Sequence, residues 1–171
     1  MEQHRRRIDR VLDSGYLDGL AARAIDDVRL MRAECGEIET EVSYVRRLAQ
    51  ARLDILQAEL DRRAAGGSLG ELIEALPQIL AGDAPRSAPA TSRLAQPLAP
   101  SMEIQWSRGL ERLVADATLA NLPTLSEDEL RSTMDQLREL EVEVSGVRRR
   151  LHAVMDALER ELANRLKVGQ A

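Results

Sequence analysis

Phenylalanine is absent from this 171-residue chain, and the aromatics that remain are Tyr16, Tyr44 and Trp106. Large globular cores lean on aromatic bulk, so a compact core is not expected. A single cysteine, Cys35, excludes an internal disulfide and offers no metal cluster. Lysine is almost missing, since Lys167 is the only one. No stretch approaches the roughly 18 apolar residues that a membrane span requires. The opening Met1-Glu2-Gln3-His4-Arg5-Arg6-Arg7 has no apolar run behind it, so no signal peptide is expected and the chain reads as cytoplasmic. With a net charge of −5 it also lacks the basic footprint that displaces counterions from a duplex. DNA is therefore not expected as a direct partner.

What is present is Leu, Ala, Val, Arg and Glu, the composition of long helices and coiled coils. Residues 1–22 hold a short amphipathic segment with Ile8, Val11 and Leu12, broken at Ser14-Gly15. Residues 24–65 contain no proline and one glycine, Gly36; Ile38, Val42, Val45, Ala49, Leu53, Leu56 and Leu60 recur at spacings of four and three. That pattern predicts one long helix of about 60 Å, stopped by Gly66-Gly67. Residues 66–123 read as a connector. In it, Leu69 to Leu80 is a short helix with Pro77 near its end, 83–101 is Pro-rich and expected to be flexible, and Met102 to Asn121 is helical around Trp106. Ser126, followed three residues later by Glu129, is a capping-box pattern. It starts a second long helix over 126–167, with Leu140, Val144, Val147, Leu151, Met155, Leu158 and Leu162 on one face. The expected fold is all-α, a single domain: an antiparallel coiled-coil hairpin with a short N-terminal helix and a partly helical connector.

The two long helices are copies of one another. Residues 37–60 and 139–162 are identical at thirteen of 24 positions, at an offset of 102. Coiled-coil composition explains the matched apolar positions but not Ser43 with Ser145, or Asp54 with Asp156. The polar set is Glu39, Ser43, Arg46, Gln50 and Asp54, answered by Glu141, Ser145, Arg148, His152 and Asp156. Spacings of four, three, four and four place each set within an arc of roughly 80°, one residue removed from the apolar stripe. Each set therefore flanks the seam, whereas Arg52 is expected on the outer face. Antiparallel pairing would bring both ladders to one shallow groove about a pseudo-twofold axis.

Arginine takes phosphate oxygens or a guanine O6/N7 edge bidentately and stacks on bases. A carboxylate such as Asp54 or Asp156 accepts the N–H donors of a guanine Watson–Crick edge. Arg47 and Arg149 add positive charge one position away. An anionic, twofold, guanine-containing ligand fits this inventory. Taken one copy at a time, the ladder is also an ordinary salt-bridged helix face; two copies in register on the seam flank favour a binding surface.

The doubled pattern E-x3-S-x2-R-x3-Q-x3-D resembles the signature of the RsiG family of actinobacterial anti-sigma factors. The first ladder matches at every position, and the second carries His152 where the pattern has Gln. The resemblance implies two molecules of cyclic di-GMP bound on an antiparallel coiled coil. It also implies that the liganded form sequesters a WhiG-type, flagellar-type sigma factor and restrains sporulation genes. His152 can donate, accept or stack, and without a second His or Cys beside it a metal role is not expected. An enzyme is the weakest reading, because the sequence offers no nucleophile–base pair, Gly-rich phosphate loop or metal cluster. The stronger alternative is a ligand-independent coiled-coil adaptor or scaffold.

Overall fold

The computed structural model describes residues 7–81 and 121–168. The Pro-rich stretch 83–101 and the expected helix around Trp106, up to residue 120, lie outside the described residues. The described chain is all-α, and no strand occurs in it. Helix α1 spans Arg7–Val11, α2 Ile25–Ala65, α3 Leu69–Ala81 and α4 Glu127–Val168; single 3-10 turns at Leu20–Ala22 and Leu122–Thr124 precede α2 and α4. The long helices α2 and α4 pack against each other as an antiparallel hairpin.

Helix α2 runs unbroken for 41 residues. Asp26 and Asp27 in its first turn and Arg62 and Arg63 in its last complement the helix dipole at both ends. It stops where the backbone turns left-handed at Gly66, φ 70°. The Gly67 N–H then donates to the Arg62 carbonyl at 3.0 Å and the Gly66 N–H to the Arg63 carbonyl at 3.1 Å, the paired bonds of a Schellman stop. A Cβ at Gly66 meets nothing within 4 Å, so the cost of adding one is conformational. Gly66→Ala is expected to destabilise the protein by about 1–2 kcal/mol, read as a lower urea midpoint at unchanged slope.

Helices α3 and α4 both begin with a reciprocal cap. The Ser68 hydroxyl accepts from the Glu71 N–H at 3.3 Å while the Glu71 carboxylate accepts from the Ser68 N–H at 3.0 Å. Ser126 and Glu129 make the same exchange at 3.2 and 2.7 Å.

Along α2 the buried positions are Val28, Met31, Cys35, Ile38, Val42, Val45, Ala49, Arg52, Leu56 and Glu59, alternating three and four apart. This strict 3.5-residue repeat keeps one seam facing the partner helix. It corrects the sequence reading in one place: beyond Ala49 the seam continues through Arg52 and Glu59, and Leu53 and Leu60 are only half-buried. Arg52 is 5% exposed and is not an outer-face residue, its aliphatic stem serving as seam packing.

The chain divides into two units, Met1–Val45 with Glu143–Ala171 and Arg46–Val142. In the first, α1 is clamped to α2 by Arg7, which reaches Glu37 at 2.6 Å, and by Arg10, which pairs with Glu34. The Tyr16 hydroxyl donates to Glu34 at 3.4 Å, and Val11 is fully buried. Arg165 of α4 holds the far side of the same segment, donating to the carbonyls of Leu20 at 2.7 Å and Arg23 at 2.6 Å. Burial raises the pKa of both the Tyr16 phenol and the Cys35 thiol. Arg32 and Glu159 link α2 to α4 at 2.6 Å.

In the second unit, Leu56 of α2, Leu72 of α3, Leu122, and Leu130, Met134, Leu137 and Leu140 of α4 are buried together with Glu59. Glu59 is tolerated at the seam because Arg62 and Arg63 donate to its two oxygens at 2.6–2.8 Å. Arg63 also donates to the carbonyls of Leu125 at 2.6 Å and Leu122 at 3.0 Å, and so secures the turn that leads into α4.

Candidate functional site

The heptad that builds the seam also places the ladder. Glu39, Ser43, Arg46 and Gln50 each follow a buried seam position of α2 by one, as do Glu141, Ser145 and His152 on α4, so their side chains emerge at the edge of the helix pair; Asp54 follows the half-buried Leu53. Glu39, Ser43, Arg46, Gln50 and Asp54 are all half-buried, as are Glu141, Ser145, Arg148 and His152; Asp156 is exposed.

Within the first unit, four of these residues form one cluster on the Glu39 carboxylate. Its Oε1 accepts from the Ser43 hydroxyl at 2.7 Å and from Arg148 Nε at 2.9 Å, and lies 3.4 Å from His152 Nε2. Burial alone would raise the Glu39 pKa. The hydrogen bonds from Ser43, Arg148 and His152, with the Arg148 charge, outweigh it and hold the pKa below the usual carboxylate value. Glu39 is thus an anion at neutral pH, and Arg148 is held across the seam by it. Ser145 and Asp156 belong to the same unit.

Within the second unit, Arg46 Nη1 lies 3.8 Å from Glu141 Oε1, an ion pair too long for a hydrogen bond. Arg46 Nε is shielded from solvent with no hydrogen-bond partner among the described residues. Gln50 donates to Asp54 at 3.0 Å.

These two sets are the same rung with the helices exchanged. Under the repeat, Glu141 corresponds to Glu39 and Arg148 to Arg46. Glu39 of the first copy meets Arg148 of the second, and Arg46 of the first meets Glu141 of the second. The second pair lies seven residues further along α2 and seven back along α4, the register of an antiparallel heptad. The rungs differ in tightness: one is closed by a 2.9 Å hydrogen bond, the other is open and carries an unsatisfied arginine nitrogen.

Chemically, each rung is an arginine at the edge of solvent whose present partner is a carboxylate. Such a guanidinium can exchange that partner for a phosphate oxygen or a guanine edge in the same planar geometry. Among the described residues, no group of three His, Cys, Asp or Glu side chains has the arrangement of a metal site, and no helix is long and apolar enough to cross a membrane. Arg52 is the residue the sequence misplaced; the signal that locates it is the continuation of the 45, 49, 52, 56 spacing through a charged side chain.

No curated protein sequence matches this chain. Residues 14–80 and 116–171 match the sequence model of the RsiG-like family. The match takes in all of α2 and α4 and all of α3 but Ala81, and leaves residues 1–13 and 81–115 outside.

Proposed function

Since the chain belongs to the RsiG-like family, and its role is that of an anti-sigma factor, we propose that it binds cyclic di-GMP, two molecules per chain, on the doubled ladder. In its liganded form it sequesters a WhiG-type sigma factor in the cytoplasm, restraining sporulation gene expression. The role is regulatory, with no catalytic step.

The observation that carries this reading is the pair of reciprocal Glu–Arg rungs. A twofold anionic ligand offers two equivalent edges, and the repeat offers two equivalent arginines on opposite helices. Asp54 and Asp156 supply carboxylates for the N–H donors of guanine, Ser43 and Ser145 admit close approach to the helices, and Gln50 and His152 stand between arginine and aspartate in their copies. Glu39 holds Arg148 at the seam edge by a hydrogen bond, and Glu141 lies within ion-pair distance of Arg46.

Calorimetry with cyclic di-GMP, with and without a sigma factor, is the test. Two molecules per chain and a clear preference over cyclic di-AMP are expected; no binding in either condition, or equal affinity for cyclic di-AMP, sinks the reading. Arg46→Ala, Arg148→Ala, Asp54→Ala and Asp156→Ala are each expected to weaken binding by about 10- to 150-fold, the loss of one charge-assisted hydrogen bond. Arg138→Ala is the surface control: its exposed side chain pairs with Asp135 one turn away, and its effect should stay within about fivefold. The self-satisfied Glu39 cluster also suits the second reading, a scaffold that binds partners without a nucleotide. On that reading the control and the ladder variants behave alike.

A further inference from the structure

Helix α3 takes no part in the ladder, and it shows an apolar face to solvent. Leu69, Ile73 and Leu80 are 40%, 58% and 48% exposed. Their spacing of four and then seven sets them within about 40° of one another on a single face. Leu72 turns inward and is buried, so the exposed stripe is what remains after α3 has packed among the described residues. An i, i+4, i+11 row of large aliphatics is the side of a helix that seats in a groove of another protein. Single exposed leucines need no explanation, but an aligned set is a contact surface.

The charges around it define the partner. Glu71 and Glu74 are the only charged residues of α3. At the same end of α2, where Arg63 ties down the Leu122 and Leu125 carbonyls, α4 opens with Glu127, Asp128 and Glu129. The neighbouring cations are committed: Arg62 and Arg63 to Glu59, and Arg131 to Glu127 at 2.7 Å. Arg131 is shared between Glu127 and Asp128, so the carboxylates around the row outnumber the cations, and an apolar row in such an acidic surround complements a surface with an apolar groove and a basic rim. A protein that reads promoter DNA must carry a basic face for the phosphates. The extent of the family match argues against this chain's own connector as the occupant. The match stops at residue 80, at the last leucine of the stripe, and leaves 81–115 outside. The stripe therefore belongs to the part of the chain that the family shares, whereas most of the connector does not.

We propose that α3 docks its Leu69–Ile73–Leu80 face into the basic, DNA-reading face of the sigma factor, so that capture occludes promoter contact directly. This rests on the anti-sigma reading above but not on the ligand ladder. The test titrates the full-length chain, saturated with cyclic di-GMP, against the sigma factor. Ile73→Asp combined with Leu80→Asp is expected to weaken capture at least tenfold while the calorimetric affinity of the free chain for cyclic di-GMP stays unchanged. An unchanged urea midpoint is the check, independent of the ladder, that the hairpin is folded. Glu74→Lys with Asp128→Lys, both on exposed side chains, is expected to slow association and flatten its salt dependence. Promoter DNA is expected to compete with the wild-type chain for the sigma factor. Capture by the Asp variant equal to wild type overturns the α3 face alone, as does a wild-type dimer that the Asp variant splits without changing sigma affinity. A wild-type chain that captures no sigma factor overturns the anti-sigma reading, and this proposal with it.

Discussion

Glu59→Gln, which leaves side-chain volume unchanged, is expected to destabilise the hairpin by about 2–4 kcal/mol. Glu59 is fully buried at the seam, where its carboxylate takes three guanidinium hydrogen bonds of 2.6–2.8 Å from Arg62 and Arg63. Removing one member of a buried charge cluster costs about 3–5 kcal/mol because the others are left uncompensated. Both arginines keep some contact with water, which lowers the figure. The amide would also present an N–H₂ group to a guanidinium that can only donate. Because Arg63 holds the carbonyls of Leu122 and Leu125, the loss should spread to the start of α4. Urea unfolding gives the magnitude, and hydrogen exchange at Leu130 and Met134 locates it. A change below about 0.5 kcal/mol would show that the cluster is a surface ion pair in energetic terms.

Acid should act through the same group. Hydrogen bonds from Arg62, then burial in the opposite sense, then Arg63 set the Glu59 pKa, with a net depression; Glu39 is depressed as well. A carboxylate with a folded pKa below its unfolded value, about 4.3 for Glu, contributes stability that is fully present above that unfolded value. The contribution is lost as pH falls through the folded pKa. The hairpin is therefore expected to hold a level urea midpoint down to about pH 5 and to weaken below it. Glu59→Gln should flatten that decline.

How far the sequence foretells these details depends on whether a rule is local. The stop at Gly66 and the caps at Ser68 and Ser126 are local: a positive φ needs glycine, and a hydroxyl three residues before a Glu satisfies two orphan amides. The hairpin is legible because two copies of one apolar stripe must bury against something, and each other is the nearest match. Arg52 and Glu59 are not legible from hydrophobicity, since the eye follows leucine to 53 and 60, whereas supercoiling holds the seam at 3.5 residues. The ladder's place beside the seam is legible for the same reason as the stripe itself, by an offset of one. What the sequence leaves open is how the ladder's side chains pair with one another. That Glu39 of one copy closes on Arg148 of the other, while Arg46 and Glu141 stay 3.8 Å apart, depends on cross-helix distances that identical motifs do not encode. The clamp on α1 is similarly non-local, because Glu34 gathers Arg7, Arg10 and Tyr16 from 18 to 27 residues earlier in the chain.

The double substitution Arg46→Ala with Arg148→Ala is expected to weaken cyclic di-GMP binding by on the order of 10²–10⁴-fold, two charge-assisted hydrogen-bonding groups at about 1.5–3 kcal/mol each. Additivity holds if the two rungs act independently, and coupling through one shared ligand pair would push the result away from the sum of the singles. Folding should survive, since Glu39 keeps Ser43 and His152 as partners and sits at the seam edge rather than within it; an unchanged circular-dichroism spectrum checks this. The consequence for the sigma factor follows from linkage. A ligand stabilises a complex only by its different affinity for the two states, and the coupling is reciprocal. In the wild-type chain the sigma factor should therefore tighten cyclic di-GMP binding by the same factor by which cyclic di-GMP tightens sigma capture. In the double variant both factors should fall to one at ligand concentrations that saturate wild type, leaving only ligand-independent capture. Arg46→Lys with Arg148→Lys separates charge from recognition: lysine keeps the positive field but lacks the planar fork, so an intermediate loss is expected. Pull-downs and titrations of the free protein and of the mixture measure all four quantities. Equal sigma capture by wild type with and without cyclic di-GMP would refute ligand control even if the nucleotide binds. Full ligand control in the double variant would place the site elsewhere on the chain.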